Sequence, residues 1–149
     1  MTTLDDATSL PMTGDAAVQP IAFEDATYQP GVCNIGPAEI ARRRRSGHVG
    51  LAAAVALLGA LVVLDTPPVT RLLVAVPATV AASGYLQARL RFCTGFGSRG
   101  VFNFGAIGST EQVADAEARR VDSRRSMQIN GASVGAGIIA GVLAAALPT

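Results

Sequence analysis

Three apolar runs divide the chain: Val49–Leu64, Leu72–Ala88 and Ile129–Leu147. Ala, Leu, Val, Ile and Gly dominate them, without the strict alternation of a half-buried strand. Each approaches the roughly twenty residues that a helix needs to cross a hydrocarbon layer about 30 Å thick. The first, taken back to Gly47 and His48, reaches about 27 Å at 1.5 Å per residue. The pattern predicts an all-α integral membrane protein with three transmembrane helices. Asp65-Thr66-Pro67-Pro68 ends the first helix, since consecutive prolines cannot continue it. So short a link makes the first two spans an antiparallel hairpin. Pro77 removes one hydrogen bond from the second span and frees the Leu73 carbonyl. A mild kink is expected there, compensated by Thr79 or by a neighbouring helix.

The polar segments set the domain order. Residues 1–30 have no periodic apolar pattern and read as a disordered acidic cytoplasmic tail, too polar to offset its own ordering entropy. Residues 31–108 form the membrane hairpin domain. In it, Pro37 opens a short interfacial helix that carries Arg42, Arg43, Arg44 and Arg45, and Tyr85, Gln87 and Arg89 mark the wet end of the second span. From Arg91 to Gly105 the chain reads as an interfacial loop whose phenylalanines dip into the membrane. Residues 109–149 supply an amphipathic helix, started by the capping-box pattern Ser109-Thr110-Glu111-Gln112, and the third span. The pairs Asp115–Arg119 and Glu117–Arg120 fall at helical spacing on that helix.

Charge gives the orientation. The chain has twelve arginines and no lysine, and eleven of the twelve flank one end of the three runs. Arg71, in the short link, is the exception. Basic flanks stay cytoplasmic, which makes this a multi-pass protein of the cytoplasmic (inner) membrane with its amino terminus in the cytoplasm and its carboxyl terminus outside. Arg42–Arg45, Arg89, Arg91, Arg124 and Arg125 are then the membrane-surface basic set. A basic quartet directly before an apolar run is a topological signal, so nucleic acid is not expected as a partner. The expected partners are the lipid bilayer and either a homo-oligomer or a larger membrane complex. On the third span, Ser133, Gly137, Gly141 and Ala145 form a ridge of small side chains for helix packing. It faces either the alanine-rich hairpin (Ala52, Ala56, Ala60, Ala75, Ala78, Ala82) or a second copy.

Candidate chemistry is sparse. Gly95-x-Gly97-x-x-Gly100 matches a dinucleotide fingerprint only in its letters, lacking the strand before it, and fits a tight interfacial turn better. His48 alone cannot hold a metal or haem, and Glu39 near Arg42 and Arg43 reads as a surface ion pair. No metal site, cofactor or catalytic set is expected. Cys33 and Cys93 are the candidate redox or sulfur pair, both on the cytoplasmic side, with Arg91 and nearby positive charge favouring a thiolate at Cys93. The alternative is two unrelated reduced thiols.

From Cys33 to Asn103 the chain resembles the YgaP-type transmembrane domain, a small inner-membrane hairpin found alone or fused to rhodanese modules. Asn34-Ile35-Gly36-Pro37-Ala38-Glu39 with Arg43 and Gly47 is similar to that family's lead into its first helix. Cys93, Phe96, Gly100 and Asn103 fall in the segment after its second. Thr94 stands where the family has proline, Ile40 where it has arginine, and the third span is additional. The resemblance implies a membrane hairpin and, through the rhodanese association, sulfur or thiol chemistry at Cys93. The residues themselves point to an interaction or accessory protein without a catalytic site, the thiol relay being the alternative.

Overall fold

A computed structural model describes residues 27–148; residues 1–26 of the tail expected over 1–30 lie outside them. Helix α1 runs from Pro37 to Val63 without a break, about 40 Å at 1.5 Å per residue. The interfacial helix and the first span are therefore one rod. Ala38–Ser46 contains no proline or glycine to interrupt it, and Gly47 is pressed against the Tyr85 ring. Past Val63 the chain reverses through Asp65, at a φ of 49°. The Thr66 amide and hydroxyl both donate to the Leu61 carbonyl, at 3.1 and 2.8 Å, occupying an acceptor the helix end leaves free.

The second crossing comprises α2 (Pro68–Arg71), a 3₁₀ turn (Leu72–Val74) and α3 (Ala75–Arg89). Proline at 77 has no N–H to give the Leu73 carbonyl, and its ring crowds that oxygen. The helix tightens there into i→i+3 bonding. Thr79 does not relieve that carbonyl; its hydroxyl donates to Ala75 O at 2.8 Å.

After α3 comes a short helix α4 (Thr94–Arg99), then β1 (Val101–Phe102) paired antiparallel with β2 (Glu111–Gln112), with Val101 opposite Gln112 and Phe102 opposite Glu111. The capping box expected at Ser109 is thus absent: Glu111 and Gln112 are engaged in a ladder. Helix α5 starts at Ala116 and continues to Ala145, about 45 Å. Asp115 caps it, accepting from the amides of Glu117 and Ala118 at 3.3 and 2.9 Å. Those amides hold its carboxyl below the usual range, Ala118 most strongly. Arg119 turns from Asp115 to the carbonyls of Val113 and Ala114, whereas Arg120 meets Glu117 at 3.4 Å.

Pro37–Val63, Pro68–Arg89 and Ala116–Ala145 are each long and apolar enough to cross a membrane, and their outer faces expose Val49, Val55, Val62, Leu73, Val76, Ile138, Ile139 and Leu143. Such a surface suits hydrocarbon and not water. Helix α3 lies between α1 and α5, which barely touch each other. Glycine brings the backbones together. A Cβ on Gly50 would lie 2.5 Å from the Ala81 nitrogen, and one on Gly84 would overlap the Gly47 backbone. The alanines expected to pack from α1 (Ala52, Ala56 and Ala60) face outward instead. On α5, Ser133, Gly137 and Gly141 are buried against α3, while Ala145 is half-buried and Ala144 completes the face. A Cβ on Gly137 would sit 2.7 Å from Ala75 O, and one on Gly141 2.9 Å from Ala75 Cβ; at Gly131 and Gly135 it would meet nothing within 4 Å. The small ridge is spent on the chain's own hairpin. At the far end, Arg71 is 1% exposed and donates to Leu147 O at 3.0 Å, a cation against the carbonyl end of α5.

Candidate functional site

The other end carries a folded polar cap, where the sequence suggested an interfacial loop. Residues 34–36 thread between two partners: Asn34 N donates to Arg91 O (3.1 Å), Asn103 N to Asn34 O (3.0 Å) and Gly36 N to Asn103 O (2.7 Å). The Asn34 side chain then bonds the backbone of Cys93 twice, donating to its carbonyl at 3.1 Å and accepting its amide at 2.6 Å. Gln87, assigned to the wet end of the second span, is buried; its oxygen accepts the Thr94 amide (3.1 Å) and its nitrogen donates to Ser83 Oγ (2.7 Å). Asn103 holds the turn that follows, through the Gly105 amide, the Ser109 hydroxyl and the Ala106 carbonyl. Nearly every polar group in this layer has a partner, as burial requires.

Glycine sets the cap's thickness at two points. A Cβ on Gly97 would lie 2.5 Å from Ser126 Oγ and 2.7 Å from the Phe92 ring. Gly100 ends α4 in the left-handed region at φ 66°, the conformation glycine adopts freely. The glycine triplet is therefore a helix and its cap. Phe92 is fully buried, and Phe96, Phe102 and Phe104 are half-buried; Phe102 stacks on Tyr28 with ring centroids 4.9 Å apart. The phenylalanines pack within the cap and do not dip outward. Residues 27–30, included in the sequence-based tail, belong here as a strap. Tyr28 donates to Asp122 Oδ2 (2.9 Å) and the Gly31 amide to Asp122 Oδ1 (2.7 Å). Burial, followed by the bond to the Asp122 carboxylate, pushes the Tyr28 hydroxyl well above its ordinary range.

At the centre sits Cys93, 0% exposed, with Arg43 Nη2 donating to its sulfur at 2.9 Å. Arg43 is the one member of the quartet turned inward, 25% exposed. Beyond it lies Glu39, whose carboxylate is 3.6 Å from Arg42 and 3.9 Å from Arg43. The ion pair is present, but Glu39 is 1% exposed and neither oxygen accepts a hydrogen bond, so it is no surface pair. Arg91, expected to influence Cys93, is exposed and contributes only its carbonyl. Cys33 is also buried and free, its sulfur 3.8 Å from Ile35 O. Arg42, Arg44, Arg45, Arg89, Arg91 and Arg124 are exposed and Arg125 half-buried. His48 Nδ1 lies 2.7 Å from the Tyr85 hydroxyl, and no cluster able to hold a metal ion occurs among the described residues.

Gln87, Asp122 and Ser126 were missed by sequence reasoning. The signals were a lone amide inside an apolar run, and an acid and a serine one helical turn apart on the face of α5 that continues through Ile129 and Ser133. No family model, curated protein or solved structure matches the chain.

Proposed function

We propose that this is a multi-pass protein of the prokaryotic cytoplasmic membrane, with its amino terminus in the cytoplasm and carboxyl terminus outside, that works by holding other membrane helices. One observation carries this reading. Because α1 and α5 flank α3 without packing together, an apolar groove of about 450 Å³ opens between them. Leu51, Ala54 and Val55 form one wall, Ala78 and Ala81 the floor, and Ala136, Ala140 and Leu143 the other wall. Small floor residues admit the close backbone approach on which association in lipid depends. The occupant is a second copy or a helix of a larger membrane complex. Mild-detergent purification with native mass spectrometry tests this. The full chain should appear as an oligomer or with a stoichiometric partner, and Ala136→Leu with Ala140→Leu should release it. A strict monomer that retains nothing sinks the interaction reading. The arginine-rich end supports the orientation through the loop-charge rule, and a reporter fused after Thr149 should be active only outside the cytoplasm.

The contact between Arg43 and the Cys93 sulfur favours a second reading, a thiol or sulfur relay. A guanidinium donating to sulfur is the contact a thiolate accepts. In this reading Cys93 takes a sulfane sulfur from a donor persulfide, which leaves as a thiol, with Cys33 as a second thiol. That Asn34, Gly36, Glu39, Arg43, Cys93, Gly100 and Asn103 all fall within or beside one cap supports the proposed kinship with the YgaP-type hairpin. Because Cys93 is 0% exposed, the relay requires the cap to open, and rapid labelling of Cys93 by a cytoplasm-side alkylating reagent, slowed in Arg43→Gln, is the result that reading expects. Slow labelling at both cysteines removes the relay.

A further inference from the structure

We propose that the groove between the first turns of α1 and the end of α3 is a seat for the headgroup of an anionic phospholipid. The groove, about 510 Å³, has an apolar floor that includes Ile40, Ala41 and Ala88, and three arginines at its rim: Arg44, Arg89 and Arg91. They come from three local structures: the body of α1, the last turn of α3 and the turn after it. Arg91 stands at φ 51°, a backbone region that non-glycine residues seldom occupy, so the fold accepts strain at the position that delivers this third cation.

Two others of the quartet are otherwise committed, and Arg45 does not line the groove. Arg42 and Arg43 face the buried Glu39, whereas no carboxylate among the described residues lies within 4.0 Å of Arg44, Arg89 or Arg91. The same groove meets the start of α1, where Gly36 offers no side-chain cap. The positive end of a 27-residue helix adds to the attraction for a phosphate. Depth fits as well. Arg44 lies one turn above His48, whose ring contacts Tyr85, and apolar residues begin immediately below at Val49. A phosphodiester held by the arginines sits at headgroup level, its glycerol beside the His48–Tyr85 pair and its acyl chains in the surrounding bilayer.

Native mass spectrometry of the full chain in mild detergent, titrated with phosphatidylglycerol or phosphatidylcholine, tests the proposal. Phosphatidylglycerol should bind and phosphatidylcholine should not. Arg44→Gln with Arg89→Gln and Arg91→Gln should weaken that binding on the order of a hundredfold, about fivefold for each arginine near the phosphate. A charge-matched variant, Arg45→Gln with Arg120→Gln and Arg124→Gln, should keep it. Ala41→Trp fills the floor from an exposed position without altering charge, and should also abolish binding, whatever becomes of the triple variant's folding. Equal losses in the two triple variants would reduce the effect to general surface charge and overturn the site. So would unchanged affinity in Ala41→Trp, or equal protection against heat by inorganic phosphate alone. Binding that appears only after Asp5, Asp6, Asp15, Glu24 and Asp25 are neutralised would assign the groove to the tail instead.

Discussion

The cap and the bundle solve the same problem, holding segments distant in sequence together, by opposite means. Between the helices there is almost no polar chemistry: Gly47, Gly50 and Gly84 let α1 meet α3, and Gly137 and Gly141 let α5 meet it. The large apolar side chains face outward, because lipid leaves no hydrophobic gain in burying them and close backbone packing must supply the association. In the cap the large groups turn inward. Phe92, Asn34, Cys93 and Asp122 are fully buried, and specific hydrogen bonds fix the arrangement. Water competes at that end, so burial contributes there and each buried polar group must be matched. The difference shows that one 149-residue chain obeys two solvents, with the change of rule falling near Gly47 and Tyr85.

That contrast can be broken from either side. Asn34→Ala should have the largest effect, since it orphans the buried amide of Cys93, at about 1–3 kcal/mol, and strips one of two bonds from its carbonyl, at about 1 kcal/mol more, leaving that carbonyl only the Gly97 amide. Denaturation of the cap, followed by Cys93 alkylation, would report it, while helix content by circular dichroism should barely change. Gly137→Leu should come next, forcing α5 off α3 at about 1–3 kcal/mol and lowering the melting temperature in detergent. Gly131→Leu, on the open face of the same helix, should leave it unchanged. Equal effects from the two leucines would mean that the glycine contacts are not what joins the helices.

Tyr28→Phe should cost about 1 kcal/mol for the lost bond to Asp122 and flatten the alkaline limb of stability. The Tyr28 hydroxyl is raised above its ordinary 10.0, so its contribution is whole below pH 10 and declines as pH rises beyond it. Melting curves between neutral and strongly alkaline pH, wild type against variant, check the sign. The smallest change is expected for Asp115→Asn. The Asp115 carboxyl lies below its ordinary 3.8; its contribution is present above that value and fades as pH falls through the lowered one. Acid melts of the two proteins should therefore converge at the lowest pH.

The spans were legible because hydrophobicity is additive along a run, and each run is long enough to declare itself. Their ends were not. Helices α1 and α5 continue through arginine-rich residues that a hydropathy pattern excludes, since helix propensity does not stop at the bilayer surface. The cap was illegible for another reason. Asn34 finds Cys93 across 59 residues and Gly31 finds Asp122 across 91, and no local spacing encodes such pairs. Ser109-Thr110-Glu111-Gln112 shows the converse error, a local signature overridden by strand pairing with Val101 and Phe102. Of the candidate site, Cys93 and Arg43 were readable as residue types, but their meeting was not. Nor was Glu39's burial, because exposure at that end depends on how residues 34–36 are threaded.

The strap has a bearing on biogenesis. Tyr28 and Gly31 leave the ribosome long before Asp122, yet Asp122 is what they grip. Two hydrophobic segments must be handed to the bilayer before the first-made part of the cap can close over the start of the last-made helix. Until then the Asp122 carboxylate lacks both partners, so protection of the Gly31 amide against hydrogen exchange is a clock for insertion of the hairpin.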